Sequence, residues 1–240
     1  MSLASFKFMS QFLHQSTEIS LVLPDIARTD NPRRFYLSGR KYPVIWLLHG
    51  EGGDSSIWWR RSRIEMYATE RDVAVVMPSL HNSCYQSYTG LGMGTDTYDF
   101  ITKELMTIVP AWFPVSDQPE DNYIFGLSMG SAGAVSISAG NPEKFAGAAV
   151  IAGLESDYGS WELLKECGDK MPPLYCAYAS GNRNFTQNYD QMQVYAQENG
   201  LNAEFSVVEE FGNEWRFYDR AFEMAMDHFE MRNVDAGNIF

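Results

Sequence analysis

The chain has 240 residues, 45% hydrophobic and 14% aromatic, enough to fill the core of one large α/β domain. Its 18 Lys and Arg against 31 Asp and Glu leave a net charge of −13. That balance weighs against nucleic acid as a partner, because no basic patch stands ready to neutralise phosphates.

The three cysteines, Cys84, Cys167 and Cys176, lack metal-ligand spacing and read as reduced thiols in a cytoplasmic protein. Residues 1–16 show no charged region followed by a long apolar run, so they do not read as a secretory leader. No window approaches the ~18 apolar residues of a membrane span, and no membrane partner is expected.

Taken in chain order, residues 1–15 read as a peripheral segment, and TEISLVLP (17–24) alternates like a strand. KYPVIWLLHG (41–50) is a buried strand running into a turn. SSIWWRRSRIEMYATE (55–70) has helical spacing behind capping serines. DVAVVMPS (72–79) is a second buried strand. DTYDFITKELMTIVPAWFP (96–114) predicts an amphipathic helix ended by Pro114. DNYIFG (121–126) is a strand, followed by a helix of small residues that stops at Gly140 and Asn141. FAGAAVIAG (145–153) and PLYCAYASG (173–181) are strands joined by a short link. A helix over 188–200, a strand over 201–210 and a closing helix over 214–231 complete the pattern. Strands alternating with helices predict a single domain over residues 1–240, with a largely parallel sheet, helices on both faces and no large lid.

The stretch FGLSMGSAGAVS (125–136) carries the chemistry. In a nucleophile elbow a serine sits on a sharp strand-to-helix turn, with small residues two before and two after it. Gly126 and Gly130 hold those positions around Ser128. The pattern G-x-S-x-G alone occurs in unrelated proteins; here the preceding strand and the small-residue helix accompany it. Ser128 then stands at a helix N-terminus, where backbone N–H groups favour an oxyanion. LLHGEGGDSSIWW (47–59) reads as the loop that supplies the second oxyanion donor. The donors are the backbone N–H groups of Glu51 and Met129, and His49 holds the turn.

Together LLHGEGGDSSIWW, DNYIFGLSMGSAGA, NPEKFAGAAVIAG and FGNEW resemble the tributyrin esterase group of the esterase D/S-formylglutathione hydrolase-like putative esterases. The resemblance runs from about residue 17 to about residue 230. It implies an α/β-hydrolase fold, no cofactor, and hydrolysis of short-chain carboxylic esters by a Ser–Asp–His triad. Some members of the family deacetylate sugars, so a small ester or sugar-like ligand is the implied partner. Homo-oligomers also occur in the family.

Two positions depart from the family pattern. Its acid lies in a G-x-x-D pattern, and here GNRN places Asn184 there. Its histidine lies in a G-H-E-W-like turn, and here GNEW places Asn213 there. An amide neither takes the serine proton nor returns it to a leaving group. Removing the base from such a triad costs on the order of 10⁶ in kcat. Glu51 is a third departure, since relatives usually carry an apolar residue there. A carboxylate roughly 6 Å from a forming oxyanion opposes it by about 3 kcal/mol at an effective dielectric near 20.

Of the four histidines, His228 lies too far along the closing helix, and His14 is peripheral. His81 follows a strand at the ligand-binding edge of the sheet and is the candidate substitute base. Glu51 is the other, provided it faces inward and holds a proton readily. Glu155 or Asp157 are possible replacements for the acid, though an acid without a base achieves nothing. Trp58, Tyr85 and Tyr88, with His81, are candidates for the pocket wall, although core filling is the more common job of Trp and Tyr; Trp215 is expected to pack. Two functions follow: an ester hydrolase with Ser128 as nucleophile and altered partners, or a catalytically silent homologue that binds a small ligand or a protein.

Overall fold

A computed structural model describes residues 2–26, 30–87, 96–153, 160–181 and 183–231. Continuous apolar runs demand cover on both faces of a sheet. β3 (Val44–Leu48), β4 (Ala74–Pro78), β6 (Gly147–Ile151) and β7 (Leu174–Ala179) are such runs, and every residue in them is buried. With β1 (Ser2–Met9), β2 (Ser16–Leu23), β5 (Asn122–Leu127) and β8 (Ala203–Val208) they form one eight-stranded sheet. Its order is β1-β2-β4-β3-β5-β6-β7-β8. The strands from β4 to β8 in that order run parallel. β2 pairs antiparallel with β4 and with β1.

Alternate residues of each strand feed two separate cores. Val44, Trp46 and Leu48 of β3 face one core, and Ile45 and Leu47 face the other. The first core packs α6 (Met129–Gly140) and α7 (Ser160–Cys167) with the helical stretch over 97–112. It also takes in Met192 of α8 (Arg183–Glu198). The second core packs α2 (Ile57–Arg61), α3 (Ile64–Arg71) and α9 (Trp215–His228). A short α1 (Pro32–Tyr36) precedes β3. Helices thus cover both faces, and no large lid stands among the described residues.

Several boundaries differ from the sequence expectation, each with a physical cause. Residues 2–9 are an edge strand, with alternate side chains half-buried against the first core. Glu104 fastens the hairpin that follows, accepting hydrogen bonds from Ser10 Oγ and from the Gln11 N–H at 2.9 Å. The helix expected over 55–70 is two helices, because Ser62 is extended (φ −135°, ψ 177°). The break lets Trp58 and Tyr67 both bury against Phe222 of α9, and Arg63 ties the bend to Asp219 at 2.8 Å.

The helix expected over 96–114 runs as α4 (Thr97–Asp99), a π-helical segment (Phe100–Leu105) and α5 (Met106–Trp112). Lys144 Nζ donates to the Thr102 carbonyl at 3.0 Å inside the wide π turn. The link between the strands at 145–153 and 173–181 holds α7, which the apolar pattern did not announce. No helix among the described residues is long and apolar enough to cross a membrane.

Candidate active site

Ser128 sits between β5 and α6 with φ 53° and ψ −115°. A residue with a Cβ rarely adopts that backbone, and such strain persists only where its surroundings impose it. Here they do. A Cβ on Gly126 would lie 1.9 Å from the Gly130 carbonyl oxygen. A Cβ on Gly130 would lie 2.6 Å from the Leu48 carbonyl oxygen. Both glycines are therefore required by backbone contact. The buried Ser131 hydroxyl, against the Gly126 carbonyl at 2.8 Å and the Ile151 carbonyl at 2.9 Å, ties the first turn of α6 to β5 and β6. The Ile151 N–H donates back to Ser131 Oγ at 3.2 Å. The Ser128 N–H itself donates to the Ile151 carbonyl at 3.2 Å.

The loop after β3 passes directly beside this turn. A Cβ on Gly50 would stand 3.3 Å from Ser128 Cβ, so the backbone at the start of the loop touches the serine. The Gly53 N–H closes the turn on the Gly50 carbonyl at 3.1 Å, and the Gly52 N–H donates to Asn82 Oδ1 at 2.8 Å. His49 Nδ1 lies 2.8 Å from the Gly50 carbonyl, while the Leu80 N–H donates to Nε2 at 3.1 Å. A donor can meet only a lone pair, so Nε2 is the acceptor and Nδ1 carries the proton. Burial pushes His49 below its ordinary pKa, and both ring nitrogens are committed to the fold.

A cavity of about 300 Å³ opens over Ser128. Its walls are the loop Gly50–Gly53, Leu127, Ile57 and Arg61 of α2, and Trp215 and Tyr218 of α9. Glu51 is exposed on this rim, and Met129 is the buried first residue of α6. The expected wall residues are placed otherwise. Trp58 is fully buried in the second core, edge-on to Trp215 with ring centres 5.3 Å apart. Tyr85 is also fully buried, and its hydroxyl donates to the His49 carbonyl at 2.7 Å. It buttresses the loop from behind, its ring filling the space a Cβ on Gly133 would need. Each has partners inside the core: Trp58 packs on Trp215 and Phe222, and the Tyr85 hydroxyl finds the His49 carbonyl. Tyr88, Glu155 and Asp157 lie outside the described residues.

None of the four imidazoles lines the cavity. His81 is exposed and borders a different hollow, of about 230 Å³, with Leu13, Gln15, Ser79 and Thr97. It follows β4 as expected, with a left-handed φ of 49°, but does not line the Ser128 cavity. His14 is exposed at the turn between β1 and β2. His228 stacks on Tyr175 with ring centres 5.0 Å apart, and its Nδ1 meets Glu204 at 3.1 Å. Asn213 is exposed in the turn between β8 and α9 and is absent from the cavity wall. Asn184 is the second residue of α8, and its side chain lies outside the described residues.

Ile57, Arg61, Leu127 and Tyr218 were not foreseen in the wall. Arg61 follows Ile57 by four residues and Tyr218 follows Trp215 by three, spacings that set each pair on one helix face. That spacing was visible in the sequence; what faced it was not. Trp215, expected to pack, does so against Trp58 and also forms part of the wall.

Comparison with known proteins bears on this arrangement. The family described as Putative esterase matches residues 26–163, more than half of the chain. An acetyl esterase of Caldicellulosiruptor saccharolyticus is 27% identical over 173 residues, 66% of this chain and 62% of that protein. An esterase of Mycobacterium tuberculosis is 26% identical over 160 residues, 64% of this chain and 33% of that protein. The chain thus spans less than two thirds of the length of these relatives. Among solved structures, the fluorophosphonate-binding serine hydrolase F of Staphylococcus aureus, with substrate bound, superposes with a TM-score of 0.81 at 22% identity. An S-formylglutathione hydrolase of the same organism gives 0.80 at 21%. Each pairing covers 95% of this chain and 98% of the other. The fold is the α/β-hydrolase fold.

Proposed function

This chain belongs to the putative esterase family, and from that premise we propose that it is a serine carboxylesterase acting on short-chain esters or acetylated small molecules. Ser128 is the nucleophile. Its Oγ attacks the ester carbonyl in the cavity bounded by Gly50–Gly53 and Trp215. The backbone N–H groups of Glu51 and Met129 receive the oxyanion that develops. The observation that carries this reading is the strained φ of 53° at Ser128, held by two glycines with no room for a side chain. Strain of this kind collects where a nucleophile must stand proud of a sheet.

The proton is the weak point of the mechanism. Asn184 and Asn213 hold the positions of the family's acid and base. Without an imidazole the Ser128 proton leaves only slowly, and turnover falls by about 10⁶ relative to a complete triad. What remains is the 10³–10⁴ over water that an oxyanion hole and binding supply on their own.

The distribution of the four histidines favours a second reading, a catalytically silent homologue that binds a small ligand. His49 is locked into its turn, His228 is stacked on Tyr175, and His81 borders another hollow. One assay separates the two. kcat/KM is measured on p-nitrophenyl acetate and butyrate for the wild type and for Ser128→Ala. A wild-type rate well above the variant's supports the esterase. Equal rates leave the silent homologue.

A further inference from the structure

Three arginines stand close together in the chain, and their surroundings differ. Arg60 faces Asp54 at 3.6 Å and donates to Ser56 Oγ at 2.8 Å. Arg63 grips Asp219 at 2.8 Å. Arg61 makes no hydrogen bond or ion pair among the described residues, although the chain carries 31 acidic residues. It lines the Ser128 cavity instead. A guanidinium keeps its charge at any working pH and offers a planar fork of five donors, a shape that matches a carboxylate.

We infer that Arg61 receives a carboxylate carried by the bound ester, so that the cavity takes monoanionic esters in preference to neutral ones. This rests on the reading of the cavity as an ester site. Arg61 thus orients an ester by its charge, with the scissile carbonyl toward Ser128 in the same cavity. The cavity of about 300 Å³ suits a ligand of this size. Arg61 is a specificity-determining residue here and touches no reacting atom.

The test uses 4-acetoxybenzoate and its methyl ester, which share the acetyl ester and differ by one charge. Binding is measured by calorimetry on Ser128→Ala protein, so that neither probe is consumed. The expected result is about tenfold tighter binding of the anion at low ionic strength, with the preference shrinking as salt is added. In the Arg61→Gln background the preference disappears, in Arg61→Lys part of it returns, and in Arg61→Glu it reverses. Arg61 is exposed, so these variants keep the fold. Equal affinity for both probes, or a preference that survives Arg61→Gln, overturns the inference while leaving the ester site standing. Failure of both probes to bind overturns the ester site and the inference with it.

Discussion

The two halves of the candidate site are built to different tolerances. On the Ser128 side, β3, β5 and α6 approach so closely that Gly126 and Gly130 admit no other residue. The loop beside them is closed by His49 from within and by Tyr85 from behind. On the other side, Asn213 stands exposed in the turn between β8 and α9. The contrast teaches that an intact elbow is a packing requirement before it is a catalytic one. Its presence says that the sheet and α6 meet correctly. On the proposed reading, a proton acceptor for Ser128 would have to come from the turn that holds Asn213.

The largest test of this contrast rebuilds the loose half. Asn213→His together with Asn184→Asp is expected to raise kcat/KM on p-nitrophenyl acetate by roughly 10²–10⁴-fold, the usual worth of a positioned acid–base group. Asn184→Asp alone is expected to give no gain, because a carboxylate without an imidazole orients nothing. If the double variant gains nothing, the turn does not aim residue 213 at Ser128.

Next comes the tight half. Gly126→Ala forces a Cβ into backbone that cannot yield and is expected to destabilise the protein by about 3 kcal/mol or more in urea denaturation. Asn213→Ala is expected to stay within about 0.5 kcal/mol. Similar losses for the two would dissolve the comparison.

Tyr85→Phe removes one hydrogen bond and strands the His49 carbonyl in the core. A loss of about 1–3 kcal/mol is expected. Near-wild-type stability would mean that the loop does not depend on its buttress.

The smallest effect is a pH dependence. Burial holds His49 below its ordinary pKa of 6.5, so the unfolded chain binds a proton that the folded chain refuses. The contribution is complete above pH 6.5 and is lost as pH falls below it, by at most about 1.4 kcal/mol per pH unit. The stability gap between wild type and His49→Gln should therefore narrow from pH 7 to pH 5.5. A gap that stays constant would place the ring in water, against its two hydrogen bonds.

Much of this was legible because it depends on neighbours in the chain. The apolar runs that became β3, β4, β6 and β7 state their own burial, and the glycines around Ser128 announce a turn that only small residues permit. The bend at Ser62 and the π-helical segment left no such trace, since long-range partners impose them: Asp219 holds the first and Lys144 reaches into the second. Trp58 and Tyr85 follow the same logic. Their types fill cores more often than they wall ligands but allow both, and the presence of Phe222 and the His49 carbonyl nearby makes them core.

By itself the sequence determined the largely parallel sheet and the elbow, because each is a matter of residue type at local spacing. Only the tertiary structure decided which side chains share the Ser128 cavity. It set Arg61 and Tyr218 there from two helices more than 150 positions apart in the chain and turned all four imidazoles elsewhere. Convergence of that kind is set by how helices pack on the sheet, and local spacing carries no record of it.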